Sequence, residues 1–163
     1  MITNQKREGE VQLPRDPAEF ASDANVVFIG KVRTEWASRK DCPKNLVQAR
    51  ERGKGAHIEL DELWRQGLLG LEKSSHAIVL YWMHEAQRDL IVQCPRHKNN
   101  PTGVFALRSP ARPNPIALAI VEIKSIDIEK GLIEIDAIDC LDGTPVVDIK
   151  PWIASIDAVG SET

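Results

Sequence analysis

This sequence predicts a small, mainly antiparallel β-barrel with short helices and irregular loops. Three observations carry the prediction. About six or seven short runs rich in Val, Ile and aromatic residues alternate apolar with polar side chains. Few stretches keep a helical period for more than a turn or two. Glycines and phase slips inside the apolar runs mark bulges, where a sheet bends to close on itself. The chain has 163 residues, 42% of them apolar and 28% charged, which fits one globular domain with a real core. The sequence divides into an N-terminal extension (1–24), a barrel domain (25–155) and a short tail (156–163).

The extension is polar, lacks a clear period and contains Pro14 and Pro17, so it reads as a mobile segment or a packed arm. Residues 25–34 read as the first strand, with a bulge at Gly30. Asp41-Cys42-Pro43-Lys44-Asn45 is a turn, and 45–52 a short helix. Residues 56–60 form a strand. Asp61 then caps a brief helix over 62–66, closed by Gly67, with Trp64 facing the core. His76-Ala-Ile-Val-Leu-Tyr-Trp-Met-His84 is the central strand. Its two histidines share a side, but at ~26 Å apart in an extended strand they cannot share a metal. Strands follow over 89–94 and 104–107. From Ile116, an alternating strand places Ile116, Leu118 and Ile120 on one face, then slips phase at Val121 and Ile123. Residues 132–138 alternate again, with Glu134 and Asp136 outward.

Two loops carry the polar chemistry. In Arg108-Ser109-Pro110-Ala111-Arg112-Pro113-Asn114-Pro115, three prolines fix their own φ and restrict the residue before each. Such a loop has little entropy left to lose when it grips a ligand, and its guanidiniums suit a carboxylate or phosphate. The second is Leu141-Asp142-Gly143-Thr144-Pro145, a tight turn followed by Asp148 and Lys150, two residues apart on one face.

Composition removes several functions. No apolar run approaches the length of a membrane span, and the N-terminus lacks the apolar region of a signal peptide, so a cytoplasmic protein is expected. Cys42, Cys94 and Cys140 are widely spaced, which argues for reduced, partly buried thiols and against a zinc ribbon. There is no Walker or dinucleotide fingerprint, and no metal site is expected. The net charge of −3 is unevenly spread. Arg88, Arg96, Lys98, Arg108 and Arg112 cluster with only Asp89 opposing, whereas residues 121–148 are strongly acidic. One basic face can steer a phosphate backbone while the whole stays negative.

At residues 103–116 and 141–152 the sequence resembles the TrmO (YaeB-like) family of S-adenosylmethionine-dependent tRNA methyltransferases. The resemblance runs from about Val26 to Trp152. It implies a β-barrel enzyme, dimeric with the cofactor near the subunit interface, that methylates N6 of threonylcarbamoyl-adenosine beside the anticodon. It also implies a cofactor pocket made of Pro43, Lys44 and Asn45, of His84 and Glu85, of Arg108, of Leu118, and of Leu141, Asp142, Gly143 and Thr144. Departures from the family pattern are Ala111 in place of a larger residue, Trp152 in place of Tyr, and Pro43-Lys44-Asn45 in place of Pro-Arg-Gln. Many bacterial relatives also carry a further C-terminal domain. The expected partner is tRNA, bound through the basic face. The expected chemistry is in-line attack of nitrogen on a sulfonium methyl group, which rests on alignment and desolvation. Asp148 is the candidate base, and Arg112, Asn114 and Lys150 are candidates for orienting the substrate. The alternatives are the same cofactor with a different small substrate, or a non-catalytic RNA-binding barrel.

Overall fold

The computed structural model describes residues 6–19, 24–95, 100–158 and 160. In chain order its elements are β1 (Val11–Gln12), β2 (Gly30–Arg33), α1 (Leu46–Arg52), β3 (Ala56–Leu60), β4 (His76–Trp82), β5 (Leu90–Gln93), β6 (Thr102–Gly103), β7 (Ile116–Asp127), β8 (Leu132–Ile135), β9 (Pro145–Pro151) and α2 (Ala154–Asp157). Short 3-10 segments lie at Pro17–Glu19, Glu62–Leu68, Leu71–Lys73 and Val104–Ala106. The chain forms two compact units, Met1–Asn25 with Met83–Ala117, and Val26–Trp82 with Leu118–Thr163.

The second unit holds the barrel. Six strands close in the order β2-β3-β8-β7-β4-β9, so the sheet has no open edge. Val32 faces Ile58, Ile58 faces Ile133, and Val79 faces Ile149, each across an antiparallel pair. Val32, Ile58, Val79, Val121, Ile133 and Val146 fill the interior. Burying each such side chain stabilises the fold by about 1.5–3 kcal/mol before entropy is counted.

Several elements differ from the sequence expectation. The first strand begins at Gly30, while Val26, Val27 and Phe28 before it are exposed. Gly30 pairs with Leu60 without a bulge, because the backbones come so close that a Cβ would sit 2.1 Å from the Glu59 carbonyl oxygen. Trp64 is 37% exposed rather than buried. The segment is a 3-10 turn that runs past Gly67, buries Leu68 instead and has no side-chain cap from Asp61. Ile116, Leu118 and Ile120 do share a face of β7, but that face is 36–43% exposed, and Ala119 and Val121 point to the core. Small residues fit the inside of a narrow barrel, so the larger ones turn outward. The bulge in β7 comes later, between Ile123 and Ser125. β8 ends at Ile135, and the side chain of Asp136 lies largely buried against α1 and β7.

The first unit contains a three-stranded sheet in the order β1-β5-β6. Val92 of β5 faces Val11 on one side and Gly103 on the other, so the N-terminal segment is an edge strand. Residues 104–107 are expected as a strand, but Val104–Ala106 form a 3-10 turn and Leu107 follows it. Arg96 and Lys98 of the expected basic face lie outside the described residues. All three cysteines are free, with Cys140 buried and Cys42 and Cys94 half-buried. Among the described residues no helix is long and apolar enough to cross a membrane, and no group of side chains is arranged to hold a metal ion.

Candidate cofactor site

In the second unit the Asp-Gly-Thr turn is joined to the end of β2. The N–H of Asp142 donates to the Trp36 carbonyl at 2.9 Å, that of Gly143 to the Val32 carbonyl at 2.9 Å, and that of Thr144 to the Leu141 carbonyl at 3.2 Å. The Thr144 hydroxyl closes the same turn at 2.7 Å on Leu141, and Thr144 is only 2% exposed. The Asp142 carboxylate accepts from the Thr34 N–H at 3.1 Å and lies 3.6 Å from the Arg33 guanidinium. Gly143 has φ +77°, a conformation that L side chains rarely adopt. All three N–H groups are engaged within the protein, so none of them is left to donate to a ligand.

Pro43-Lys44-Asn45 is fixed by the helix it precedes. Asn45 is the N-cap of α1: its Oδ1 accepts from the Gln48 N–H at 2.9 Å, and Gln48 Oε1 accepts in return from the Lys44 N–H at 3.0 Å. Pro43 is buried, and Lys44 and Asn45 are exposed. Both predicted stretches of this unit converge on a residue the sequence reading missed. Trp36 supplies the carbonyl for Asp142, its indole N–H donates to Ile138 at 3.3 Å, and its ring lies 5.1 Å from the Arg52 guanidinium of α1. Arg52 also donates to the Asp41 carbonyl. The only sequence signal for Trp36 was a tryptophan just past a strand, which is a weak one.

Beside these loops, the buried Tyr81 hydroxyl donates to Asp139 at 3.0 Å. Burial first, and then the Asp139 charge, push the phenol well above its ordinary range. The same two causes push the Cys42 thiol up to about 11, although Arg52 pulls the other way. Cys140 is raised by burial, so neither thiol is a ready nucleophile at neutral pH. Leu118 is exposed on β7.

In the first unit the proline loop is clamped from within. Arg112 Nε donates to the Ser109 carbonyl at 3.0 Å, and its Nη2 to the carbonyls of Val104 at 2.8 Å and Leu107. This is why 104–107 is not a strand: its carbonyls turn toward one guanidinium instead of a ladder. Arg112 was expected to orient substrate, and its donors are instead directed to the loop's own backbone. Arg88 Nε donates to Pro113 at 2.7 Å, and Gln93 Nε2 to Ala111 at 2.7 Å. The Met83 N–H donates to Pro115 at 2.8 Å, which ties the turn carrying His84 and Glu85 to the end of the same loop. His84, Glu85, Arg108 and Asn114 are all exposed. This unit thus presents a cation and an anion on a backbone held at six carbonyls.

Asp148 and Lys150 lie on β9, whose register against β4 shifts at Val147: Asp148 faces Leu80 and Val146 faces Tyr81. A bulge of this kind re-aims side chains. The Asp148 carboxylate meets the Lys150 ammonium at 2.6 Å and accepts from the Ile149 N–H at 2.9 Å. A surface groove of about 380 Å³, lined by Glu59, Asp61, Glu62, Arg65 and Lys130 among others, contains none of the predicted residues.

The tRNA-methyltransferase O N-terminal domain family matches residues 31–158. A protein of Rhizobium radiobacter named "Probable S-adenosyl-L-methionine-binding protein VirR" is 40% identical over 86% of this chain and 75% of its own length. The mouse tRNA (adenine(37)-N6)-methyltransferase is 42% identical over 56% of this chain and 21% of its own. The crystal structure of TrmO from Pseudomonas aeruginosa superposes with a TM-score of 0.67 at 29% identity, over 87% of this chain and 62% of that one. A second TrmO crystal structure also gives 0.67, at 32% identity, over 87% of this chain and 61% of that one. The chain therefore spans about three-fifths of the solved relatives. With the closed barrel, the clamped proline loop and the Asp-Gly-Thr turn on the same chain, and the family's model matching residues 31–158, this protein belongs to the tRNA-methyltransferase O N-terminal domain family.

Proposed function

We propose that this chain is an S-adenosylmethionine-dependent methyltransferase acting on tRNA. Its acceptor is N6 of the adenine beside the anticodon, in its threonylcarbamoyl form. Activity resides in the barrel segment, residues 25–155. The protein works in the cytoplasm as a homodimer with the cofactor near the interface. The exposed apolar face of β7 is the kind of surface a second copy covers.

The observation that carries this reading is the loop holding Arg108, whose backbone is fixed by Arg112, Arg88 and Gln93. A carboxylate-binding guanidinium on such a loop loses little freedom on binding. The chemistry of the remaining residues fits the cofactor. Arg108 matches its carboxylate and Glu85 its cationic part. The acceptor carbonyls of the Asp142-Gly143 turn match the amine of its adenine, and Leu118 and Leu141 match its apolar surface. Lys44 and Asn45 stand on a capped helix start, and His84 stands on the turn tied to Pro115. Pro43 and Thr144 hold their stretches in shape.

The bound cofactor supplies a methyl group on a positively charged sulfur. The protein's task is to align the acceptor nitrogen behind that methyl and keep water out. The acceptor proton need not leave before the methyl moves, so Asp148 is an optional base. Asn114 and Lys150 orient the acceptor, and Arg112 acts on it through the loop. Arg88, Arg96, Lys98, Arg108 and Arg112 provide the positive potential that draws in RNA.

The test is methyl transfer from labelled S-adenosylmethionine to tRNA from cells lacking this enzyme, with nucleosides read by mass spectrometry. A methylated threonylcarbamoyl-adenosine, lost in Arg108→Ala, is the expected result. Cofactor binding without transfer would move the substrate elsewhere. RNA binding with neither would leave a non-catalytic barrel.

A further inference from the structure

The segment before the barrel makes more contacts than its composition foretells, and they fall on one strand. Leu13 N–H donates to the Asp89 carbonyl at 2.6 Å, and Gln12 Nε2 to the Asp89 carboxylate. At the other end, Arg7 Nη1 donates to the Cys94 carbonyl at 2.9 Å, Cys94 N–H to Glu10 Oε1 at 3.3 Å, and Cys94 Sγ to the Glu8 carbonyl at 3.0 Å. Between these grips Val11 pairs with Val92. The arm therefore brackets β5 at both ends. The residue beside each grip faces the proline loop: Arg88, next to Asp89, holds Pro113, and Gln93, next to Cys94, holds Ala111.

We propose that residues 7–13 are a positioning element for the Arg108 loop. They hold β5 still so that Arg88 and Gln93 can fix the loop's carbonyls, and they thereby set the enzyme's affinity for its cofactor. The arm lies outside the residues that the family's model matches, 31–158. Its connection to the cofactor rests on the reading above, that Arg108 binds the carboxylate. Its connection to the loop does not. A two-residue edge strand tied by side chains is weak enough to open locally without unfolding the rest, so its effect is graded.

The experiment uses the full chain with Arg7→Ala and Leu13→Pro together, which removes one side-chain grip and one ladder donor. Hydrogen exchange is followed at the amides of residues 108–116, and S-adenosylmethionine binding by calorimetry. The expected result is exchange at Ala111 and Ile116, the loop amides that donate to Ser109 and Asn114, faster by roughly tenfold, and a cofactor Kd weaker by a similar factor. The rate at saturating cofactor should be little changed, and barrel amides such as Val32 and Ile58 should stay protected. A peptide of residues 6–14 added in trans should restore both readouts by pairing again with β5. Gln93→Ala, which leaves the arm intact, should loosen the same loop amides. Unchanged exchange at 108–116 in the double variant would overturn the proposal, and so would rapid exchange that the peptide fails to reverse. If the unaltered chain binds no S-adenosylmethionine, the functional reading fails, and the exchange data still decide the role of the arm.

Discussion

Replacing Arg112 by Met separates two roles for this guanidinium. The side chain is half-buried and donates to three carbonyls, those of Ser109 at 3.0 Å, Val104 at 2.8 Å and Leu107. A hydrogen bond from a charged donor contributes about 1.5–3 kcal/mol. Half-exposure and water regained by the freed carbonyls bring the total below the simple sum of three such bonds, to about 3 kcal/mol for the set. In a chain of this size that is about 6–12 °C in Tm if the loop melts with the whole. If the loop opens by itself, the same energy appears as faster exchange at residues 104–112 with Tm nearly kept. On the proposed role of Arg108 the cofactor Kd should rise either way, because that residue no longer sits on a fixed backbone. Arg112→Lys keeps the charge, but one ammonium cannot span three carbonyls, so it should recover less than half of the loss. The assay is a thermal melt, loop exchange and cofactor calorimetry on the same preparations. If Arg112→Met melts within about a degree of the parent, keeps its loop protection and binds cofactor normally, yet loses methyl transfer, the clamp is not the role of this residue and its guanidinium faces the substrate.

Three other outcomes can be checked. Gly30→Ala would place a Cβ 2.1 Å from the Glu59 carbonyl oxygen and 2.9 Å from Leu60 Cα, backbone that cannot yield, so a loss of about 3 kcal/mol or more is expected in urea unfolding. Asp136 is affected most by burial, which works against its charge, but the Arg50 guanidinium at 2.6 Å and the Glu122 N–H at 2.8 Å outweigh it and hold the carboxyl below its ordinary value. A lowered value adds stability above about pH 4 that is lost as pH falls through the folded-state value, so the stability gap between the parent and Asp136→Asn should narrow on acidification below about pH 4. A gap independent of pH would contradict the ion pair with Arg50. The Cys42 thiol, pushed up to about 11, should react with a thiol reagent at pH 8 roughly two hundredfold more slowly than an ordinary cysteine, and Arg52→Gln should slow it further.

The elements that could be read from the sequence are those in which one physical signal dominates. β3 follows from alternation at 56–60, and α1 from an N-cap asparagine with a glutamine three residues on. The barrel class followed from the number of short strands. What escaped was decided by partners distant in sequence. Residues 104–107 have strand propensity, but a guanidinium at 112 collects their carbonyls. Asp136 alternates outward on paper, yet Arg50 holds it against the barrel. The proline loop was legible as rigid because proline acts locally. The N-terminal arm, and the grip that Arg88 and Gln93 exert on the loop, depend on hydrogen bonds across tens of residues that no local pattern encodes.

Trp36 has a consequence for anyone redesigning this protein. Its carbonyl, its indole N–H and its ring each hold a different stretch: the turn at 142, the segment at 138 and the end of α1. Residues 36–52 and 138–144 therefore behave as one cassette rather than two adjustable loops. Swapping either stretch alone from a relative would leave Trp36 with mismatched neighbours, and substitutions in the two should be strongly non-additive. Exchanging both together with the tryptophan is the transplant most compatible with the barrel.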